Sequence, residues 1–340
     1  MSNAEADLEV ESTGRDTVTC VQGVDVLEPR PVLLGPRQEV RRVLPHRDRR
    51  MIGAWCFVDH YGPEDIAGRP GMRVPPHPHT GLQTVSWLLE GEVHHRDSLD
   101  SDVDVIPGQL NLMTAGTGVA HSEESPAGHT AVLHGLQLWV ALPGNALHEP
   151  RAFAQYRDLP VIERAGLRAT VVMGDLEGVA SPAATFTPIV GAELVVDGEV
   201  SLRVRPDFEY GVLAIDAGLV VQRQRVEMSE IAYVGGDLDT IELSSDGPRR
   251  AFLLGGAPFD EDIVMWWNFL GRSHDEIVEA RRVWNDEVTR YQTLDESGDS
   301  GSLGGRLRFG IVRGFDGDPL LAPPMPTTRL KARGRHADRF

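Results

Sequence analysis

Two short pairs of potential metal ligands constrain this sequence more than any other feature. His77 and His79 form the first pair, His121 and Glu123 form the second, and each pair has the spacing i and i+2. Residues i and i+2 of a β-strand project from the same face of a sheet. Two such pairs on neighbouring strands direct three imidazoles and one carboxylate at one point. The sequence therefore predicts a mononuclear metal site.

This ligand set suits a transition metal. Neutral imidazole binds Fe, Zn, Cu and Ni, and four protein ligands leave positions open on a five- or six-coordinate ion. A single His-x-His pair has a simpler explanation, because histidine is an ordinary half-buried residue; two pairs together favour the metal site. Because neutral imidazole is the ligand, occupancy is expected to fall as the pH drops through the ordinary histidine range, near ~6.5.

The residues around these pairs carry a family resemblance. They comprise Gly71 ahead of the first pair, the hairpin 88–93, the run 107–116 and His121-Ser122-Glu123, and they continue in 57–63, 134–140 and 266–269. This pattern resembles the pirin family of the cupin superfamily over roughly residues 25–290. The resemblance implies an all-β bicupin fold, with two β-barrels of the double-stranded β-helix type and a C-terminal helix.

Composition agrees with an all-β chain of two domains. The 340 residues include 36 glycines and 23 prolines, which divide the sequence into short runs separated by turns. We expect a mobile polar N-terminus over residues 1–24, a metal-bearing cupin domain over 25–145, a second cupin domain over 146–260, and a helix with a tail over 261–340. Residues 147–160 are interpreted as the linker between the barrels.

The second barrel is expected to hold no metal. No histidine occurs between Gly174 and Phe259, and carboxylates alone suit hard cations better than a transition metal. Beyond this barrel, Ser273 and Glu276 form a capping-box pattern, and apolar residues then recur at helical spacing. This pattern predicts a helix over residues 274–291.

Charge and cysteine content exclude several classes of protein. The chain has 33 basic and 51 acidic residues, a net charge of −18 that repels phosphate backbones, so generic nucleic-acid binding is not expected. Only Cys20 and Cys56 occur, and no apolar run has the length of a signal segment or membrane span. We expect a cytoplasmic monomer without membrane contact. The basic residues near the end either pair with the acidic body or stay mobile: Arg329, Lys331, Arg333, Arg335 and Arg339.

Three further residues lie close to the predicted ligands in sequence. His94 and His95 are adjacent, so on a strand they face opposite sides and cannot both bind one metal. His94 is interpreted as hairpin surface, and no ligand role is assigned to His95. Gln83 stands where many cupins and pirins carry Glu, but the pirin arrangement takes its carboxylate ligand from Glu123. Gln83 is therefore expected to alter the surroundings of the metal and its redox potential rather than its occupancy.

The pirin resemblance implies two classes of function. As an enzyme, the chain resembles flavonol 2,3-dioxygenases, with quercetin as the usual substrate, dioxygen as co-substrate and Fe(II) as the metal, although another divalent transition metal also fits. Glu123 would then act as general base as well as ligand. As a regulator, the chain would be an iron-dependent redox sensor that binds a transcription or metabolic protein. The sequence favours neither decisively, because a complete ligand set serves both and a fold does not fix a function.

Overall fold

A computed structural model of the chain describes residues 23–34, 38–295 and 307–334. The N-terminus expected to be mobile, residues 1–24, lies outside these ranges except for its last two residues, and so do Arg335 and Arg339. Within the described ranges, the fold is all-β apart from one α-helix and one short 3-10 helix, Gly144–Ala146. No helix of the described residues has the length and apolar character needed to cross a membrane.

The first half of the chain forms twelve strands. They are β1 (Asp25–Leu27), β2 (Arg30–Leu34), β3 (Gln38–Leu44), β4 (Trp55–Asp65), β5 (Arg73–His79), β6 (Leu82–Glu90), β7 (Val93–Asp97), β8 (Asp102–Val105), β9 (Leu110–Thr114), β10 (Val119–Glu124), β11 (Val132–Ala141) and β12 (Ala152–Tyr156). Strands β2 to β12 build the first barrel from two sheets. The larger sheet has the order β12-β9-β6-β11-β4-β3-β2, and the smaller has the order β5-β10-β7-β8.

Strand β12 lies in the segment interpreted as a linker. It pairs antiparallel with β9, from Ala152 opposite Thr114 to Tyr156 opposite Leu110. The interpretation of residues 147–160 as a simple linker is therefore wrong for the five residues of β12, which add an outer strand to the larger sheet. Its side chains are exposed or only half-buried, so the strand lacks the strong apolar alternation from which a strand is recognised in sequence.

The second half forms the second barrel and a C-terminal region. Its elements are β13 (Val161–Arg164), β14 (Leu167–Leu176), β15 (Val179–Ala180), β16 (Ile189–Arg203), β17 (Glu209–Ala214), β18 (Leu219–Val221), β19 (Gln224–Val226), β20 (Ile231–Gly235), β21 (Thr240–Gly256), β22 (Val264–Trp266), β23 (Phe269–Gly271) and α1 (His274–Asp295). The second barrel is one sheet with the path β1-β20-β17-β21-β16-β14-β13. Strand β1 thus pairs with the second barrel, Asp25 opposite Tyr233, although the first domain is expected to begin at residue 25.

The two barrels share an apolar core. Trp55 of β4 extends into the second barrel, where its indole N–H donates to the carbonyl oxygens of Val190 at 3.1 Å and Gly255 at 3.3 Å. Its ring meets the Phe252 ring edge-on, with centroids 6.4 Å apart. The second barrel thus buries the apolar surface of the Trp55 ring and provides hydrogen-bond acceptors for its N–H. The barrel that carries the predicted ligands is therefore packed tightly against the second barrel.

The C-terminal region packs against the first barrel rather than the second. Phe269 of β23 forms a bridge with Thr80, which directly follows β5. The predicted helix is confirmed: α1 begins at His274 and ends at Asp295, four residues beyond the expected end. Ser273 caps it, because its hydroxyl accepts a hydrogen bond from the Glu276 N–H at 3.3 Å.

Residues 307–334 follow without regular helix or strand and run across β5 and β10. The Leu320 N–H donates to the Pro76 carbonyl at 2.8 Å, and the Ala120 N–H donates to the Phe309 carbonyl at 3.1 Å. Of the basic residues in this segment, Arg329 forms an ion pair with Asp275 of α1 at 2.8 Å. This segment therefore covers the strands that carry the predicted ligands.

Candidate metal centre

The four predicted ligands lie on two strands that pair with each other. Strands β5 and β10 are antiparallel, and His121 stands directly opposite His77. A shift of register between His121 and Glu123 sets Glu123 opposite Val74. The i and i+2 spacing thus brings the histidines together as the sequence indicates.

The three imidazoles converge in a buried cluster. His77 and His79 are fully buried and His121 is 1% exposed. The His77 and His121 ring centroids are 4.3 Å apart, those of His79 and His121 are 5.0 Å apart, and the Nε2 atoms of His79 and His121 are separated by 3.1 Å. One ligand atom from each of the three histidines lies within 4.8 Å of the others. This spacing suits a single shared ion.

Hydrogen bonds on the outer side of two rings fix which nitrogen faces the cluster. His77 Nδ1 donates to the Pro75 carbonyl at 2.9 Å, and His79 Nδ1 donates to the Asn268 carbonyl at 3.2 Å. A neutral imidazole has one N–H, so Nε2 of each ring carries a lone pair. His77 Nε2 is buried and has no hydrogen-bond partner among the described residues. Buried nitrogen lone pairs directed at one point fit a metal cation.

Burial also sets the protonation of these histidines. It lowers the pKa of His77 to about 4 and lowers the pKa values of His79 and His121 well below their ordinary value. The rings are therefore neutral at neutral pH, which is the form that binds a metal. Protonation of these rings therefore begins below the ordinary histidine range near ~6.5, and the fall of metal occupancy with pH stays a prediction.

Glu123 occupies the other side of His121. Its carboxylate is 3% exposed, and it falls in a second group of ligand atoms within 4.8 Å, with His95 and His121. His121 therefore belongs to both groups, and it joins the imidazole cluster to the carboxylate. Burial raises the pKa of the Tyr61 phenol, and the charge of Glu123 raises it further, which marks Tyr61 as a neighbour of this carboxylate.

Comparisons with known proteins divide the chain in the same way. The Pirin family profile matches residues 37–140, and the Pirin C-terminal cupin domain matches residues 189–289. The chain belongs to the pirin family. The match to the first profile includes both predicted ligand pairs, and the match to the second includes most of the second barrel.

Relatives of this pirin include proteins named as quercetin 2,3-dioxygenases. A Pseudomonas aeruginosa protein named as a candidate quercetin 2,3-dioxygenase is 42% identical over 289 residues, 84% of this chain and 86% of that protein. A pirin-like protein of Caulobacter vibrioides is 33% identical over 76% of this chain and 91% of its own. The crystal structure of a quercetin 2,3-dioxygenase from Acinetobacter baumannii has a TM-score of 0.81 at 36% identity, covering 91% of this chain and 97% of that one. The predicted family and bicupin fold are confirmed.

Trp139 shows which side of the larger sheet faces the candidate metal centre of this pirin, and this side is called the metal-facing side. Its ring meets the His79 ring edge-on, with centroids 5.1 Å apart, and it stacks on Phe57 at 4.0 Å. Thr84 of β6 stands directly opposite Trp139, so the two side chains share this metal-facing side. Neighbouring residues of β6 alternate between the two sides.

Gln83 consequently faces away from the centre. Its side-chain amide N–H donates to Thr114 Oγ1 at 3.0 Å and to the Ala184 carbonyl, between β15 and β16 of the second barrel, at 3.3 Å. The expectation that Gln83 alters the surroundings of the metal is therefore wrong. The side of the sheet on which Gln83 lies depends on the register between β6 and its neighbouring strands. The place of Gln83 in the sequence does not reveal that register.

A row of polar side chains crosses the metal-facing side of the larger sheet. Its member on β11 is Gln137, two residues before Trp139. In strand order the row consists of Arg42, Asp59, Gln137, Ser86 and Asn111, each opposite the next. Arg42 binds Asp59 at 2.7 and 2.8 Å, and the Ser86 hydroxyl donates to Gln137 Oε1 at 2.8 Å. Gln137 Nε2 is buried and has no partner among the described residues. A buried polar row is costly in an apolar core, and it offers hydrogen bonds to a polar ligand.

Sequence reasoning missed His95 and Asp97. Both are buried, and on β7 they stand opposite Glu123 and His121 of β10 respectively. His94 faces outward, as expected, where its ring nitrogens contact Asp102 at 2.5 Å and Asp104 at 2.6 Å. The available signal was the His95-x-Asp97 spacing, which is a third i and i+2 pair.

Proposed function

We propose that this pirin binds one divalent transition-metal ion through His77, His79, His121 and Glu123. The convergence of three neutral, buried imidazoles carries the proposal. Fe(II) suits this mixed imidazole and carboxylate set, and other divalent transition metals fit the same ligands. When bound, Fe(II) supplies Lewis acidity and one-electron chemistry toward dioxygen.

We further propose that the reaction is the 2,3-dioxygenation of a flavonol. The relatives named for quercetin 2,3-dioxygenase support this substrate class. Glu123 accepts the proton of the flavonol 3-hydroxyl, since a buried carboxylate beside the centre is in position to act as general base. The resulting flavonolate is electron-rich and combines with dioxygen at C2 and C4. Both oxygen atoms enter the opened product, and C3 leaves with its oxygen as carbon monoxide.

The chain's own residues also orient the substrate. The polar row on the metal-facing side of the larger sheet offers hydrogen bonds to flavonol hydroxyl groups, foremost through the Gln137 amide. The Trp139 and Phe57 rings offer an apolar surface beside it. Aromatic side chains with a few placed polar groups are the usual lining of a small-molecule site.

Aerobic turnover of a flavonol panel by iron-loaded protein tests the dioxygenase proposal. We expect flavonol loss and stoichiometric carbon monoxide release by the iron-loaded form, and neither by the metal-free form of the same preparation. His129→Gln, a change at a half-buried loop histidine outside the candidate site, serves as a handling control and should match the wild type. Equal carbon monoxide from the loaded and metal-free forms would rule out this activity.

One observation favours the regulator as a second candidate. The histidines of the cluster are at most 1% exposed, so a flavonol reaches them only if the residues that bury them move. A redox sensor needs no such opening. Its test is a pull-down with the ferrous and ferric forms: a partner retained by one oxidation state, and lost in His77→Ala, supports the regulator.

A further inference from the structure

The three histidines of the cluster differ in the hydrogen-bond partner of Nδ1, the ring nitrogen that points away from the cluster. His77 and His79 each donate Nδ1–H to a backbone carbonyl. A carbonyl oxygen can only accept, so the direction of these two hydrogen bonds is fixed. The outer nitrogen of His121, Nδ1, lies instead 3.5 Å from Nδ1 of His95. A histidine nitrogen either donates or accepts according to its tautomer. The orientation of His121 therefore depends on what fixes His95.

Asp97 fixes His95. His95 Nε2 lies 3.3 Å from Asp97 Oδ2, while Asp97 Oδ1 accepts the backbone N–H groups of Leu99 at 2.8 Å and Ser101 at 3.0 Å. Burial raises the pKa of Asp97, but the hydrogen bonds from His95 and these two N–H groups outweigh it, so the pKa lies below its usual value. The His95 ring also stacks on Phe153, with centroids 4.4 Å apart. Ring and carboxylate are thus both immobilised.

For neutral imidazoles, these contacts determine the tautomers of His95 and His121. The Asp97 carboxylate only accepts, so His95 in this form carries its proton on Nε2 and a lone pair on Nδ1. His121 must then donate Nδ1–H to His95. Its own Nε2 is left with a lone pair, directed at His79 Nε2 3.1 Å away.

We propose that Asp97 and His95 are positioning residues that hold His121 in the tautomer and ring orientation in which Nε2 binds the metal. The inference rests on the proposed metal site and does not depend on the flavonol reaction. Outer partners of this kind typically change metal affinity by about 10- to 100-fold when they are removed. Direct ligation by His95 is the competing arrangement, because His95, His121 and Glu123 also lie within 4.8 Å of one another.

Asp97→Asn provides a nearly isosteric test. The amide oxygen must stay on the N–H groups of Leu99 and Ser101, so the amide NH₂ faces His95 Nε2 and donates to it. His95 then carries its proton on Nδ1 and donates to His121. The proton of His121 moves to Nε2, the nitrogen that should bind the metal. This variant reverses the hydrogen-bond chain while it preserves the shape of the site.

The experiment measures Co(II) binding by chelator competition, with stoichiometry and the visible ligand-field spectrum. Asp97→Asn and His95→Leu should each weaken binding by about 10- to 100-fold while stoichiometry and spectrum stay those of the wild type. His95→Gln should rescue binding to within a fewfold, because one amide both donates to Asp97 and accepts from His121. His94→Gln, on the outer side of the same strand, is the matched control and should bind as the wild type does.

Three outcomes are separable. Asp97→Asn binding within twofold of the wild type overturns the inference. A spectrum that loses a ligand in both His95 variants, but not in Asp97→Asn, overturns it in favour of direct ligation. A wild type that binds no Co(II) defeats the proposed metal site instead, and nitrogen-15 NMR of the metal-free protein then decides the inference: His121 should carry Nδ1–H in the wild type and Nε2–H in Asp97→Asn, and an unchanged tautomer overturns it.

Discussion

His60 Nε2 lies 2.8 Å from His134 Nε2, and the pair forms a buried contact on the side of the first barrel that faces the second. His60 Nδ1 is 2.8 Å from the Ser229 hydroxyl of the second barrel, which also accepts a hydrogen bond from Arg41 Nε at 2.6 Å. One of the two Nε2 atoms must carry the shared proton and the other must keep its lone pair, so this hydrogen bond is lost when both Nε2 atoms are protonated. The contacts of His60 with His134 and Ser229 therefore link the two barrels.

This contact predicts a loss of stability in mild acid. Burial lowers the pKa of His134 to about 4 and that of His60 well below its usual value, with Arg41 and Arg250 opposing the charged forms and Asp216 favouring the charged His134. Between about pH 6.5 and 4 the unfolded chain binds protons that the folded chain excludes, so stability falls as the pH drops through this window. At pH 5 the His134 contribution to this loss is about 2 kcal/mol.

Urea unfolding at pH 7.5 and pH 5 measures this effect. His134→Gln keeps an acceptor for His60 but removes one titrating ring, so its loss of unfolding free energy between the two pH values should be smaller than that of the wild type. An equal loss in both proteins would show that this pair does not titrate on unfolding.

Phe309 predicts that residues 307–334 contribute to stability. Its side chain is fully buried, with ring centroids 5.8 Å from Phe269 and 5.6 Å from Trp284. Phe309→Ala should lower the free energy of unfolding by about 3 kcal/mol, through lost burial and the cavity left behind. Leu321→Ala in the same segment is the control: its side chain is 58% exposed, so the change should be below about 0.5 kcal/mol. Urea unfolding of both variants checks the difference.

Local spacing explains why part of the centre could be predicted from sequence. His77 and His79 share a strand face by the period of the strand alone, and so do His121 and Glu123. The helix from His274 was equally accessible, because its cap and its apolar repeat lie within the segment itself. These features need no information about which distant strands pair.

Features that depend on strand pairing escaped prediction. Gln83 faces the second barrel because of the register between β6 and β11, and one step of register reverses every side chain of a strand. His95 and Asp97 reach the centre only because β7 pairs with β10. Strand β12 is formed by a weakly apolar segment that becomes a strand because it pairs with β9 at the edge of the larger sheet.

His121→Ala should remove the metal centre. His121 contributes a ligand atom to the cluster that contains His79 and to the group that contains Glu123. Its loss therefore removes a ligand from both. We expect metal content after gel filtration to fall from about one ion per chain to a small fraction of that value. His129→Ala, in an exposed loop, should retain full metal content by the same elemental measurement. Full occupancy of the His121 variant at unchanged affinity would refute the ligand assignment.

Glu123→Gln separates the two roles proposed for this carboxylate. The amide keeps an oxygen that can face the metal but cannot accept the flavonol proton at neutral pH. Iron content should therefore fall only modestly, whereas turnover per bound iron should fall by about 10²- to 10⁴-fold, the range for loss of a general base. Elemental analysis and carbon monoxide release, measured on the same preparation, give the ratio. In His121→Ala, by contrast, iron and turnover should disappear together. Turnover per bound iron that remains at the wild-type value in Glu123→Gln would mean that Glu123 is a ligand alone, and that the proton leaves the flavonol by another route.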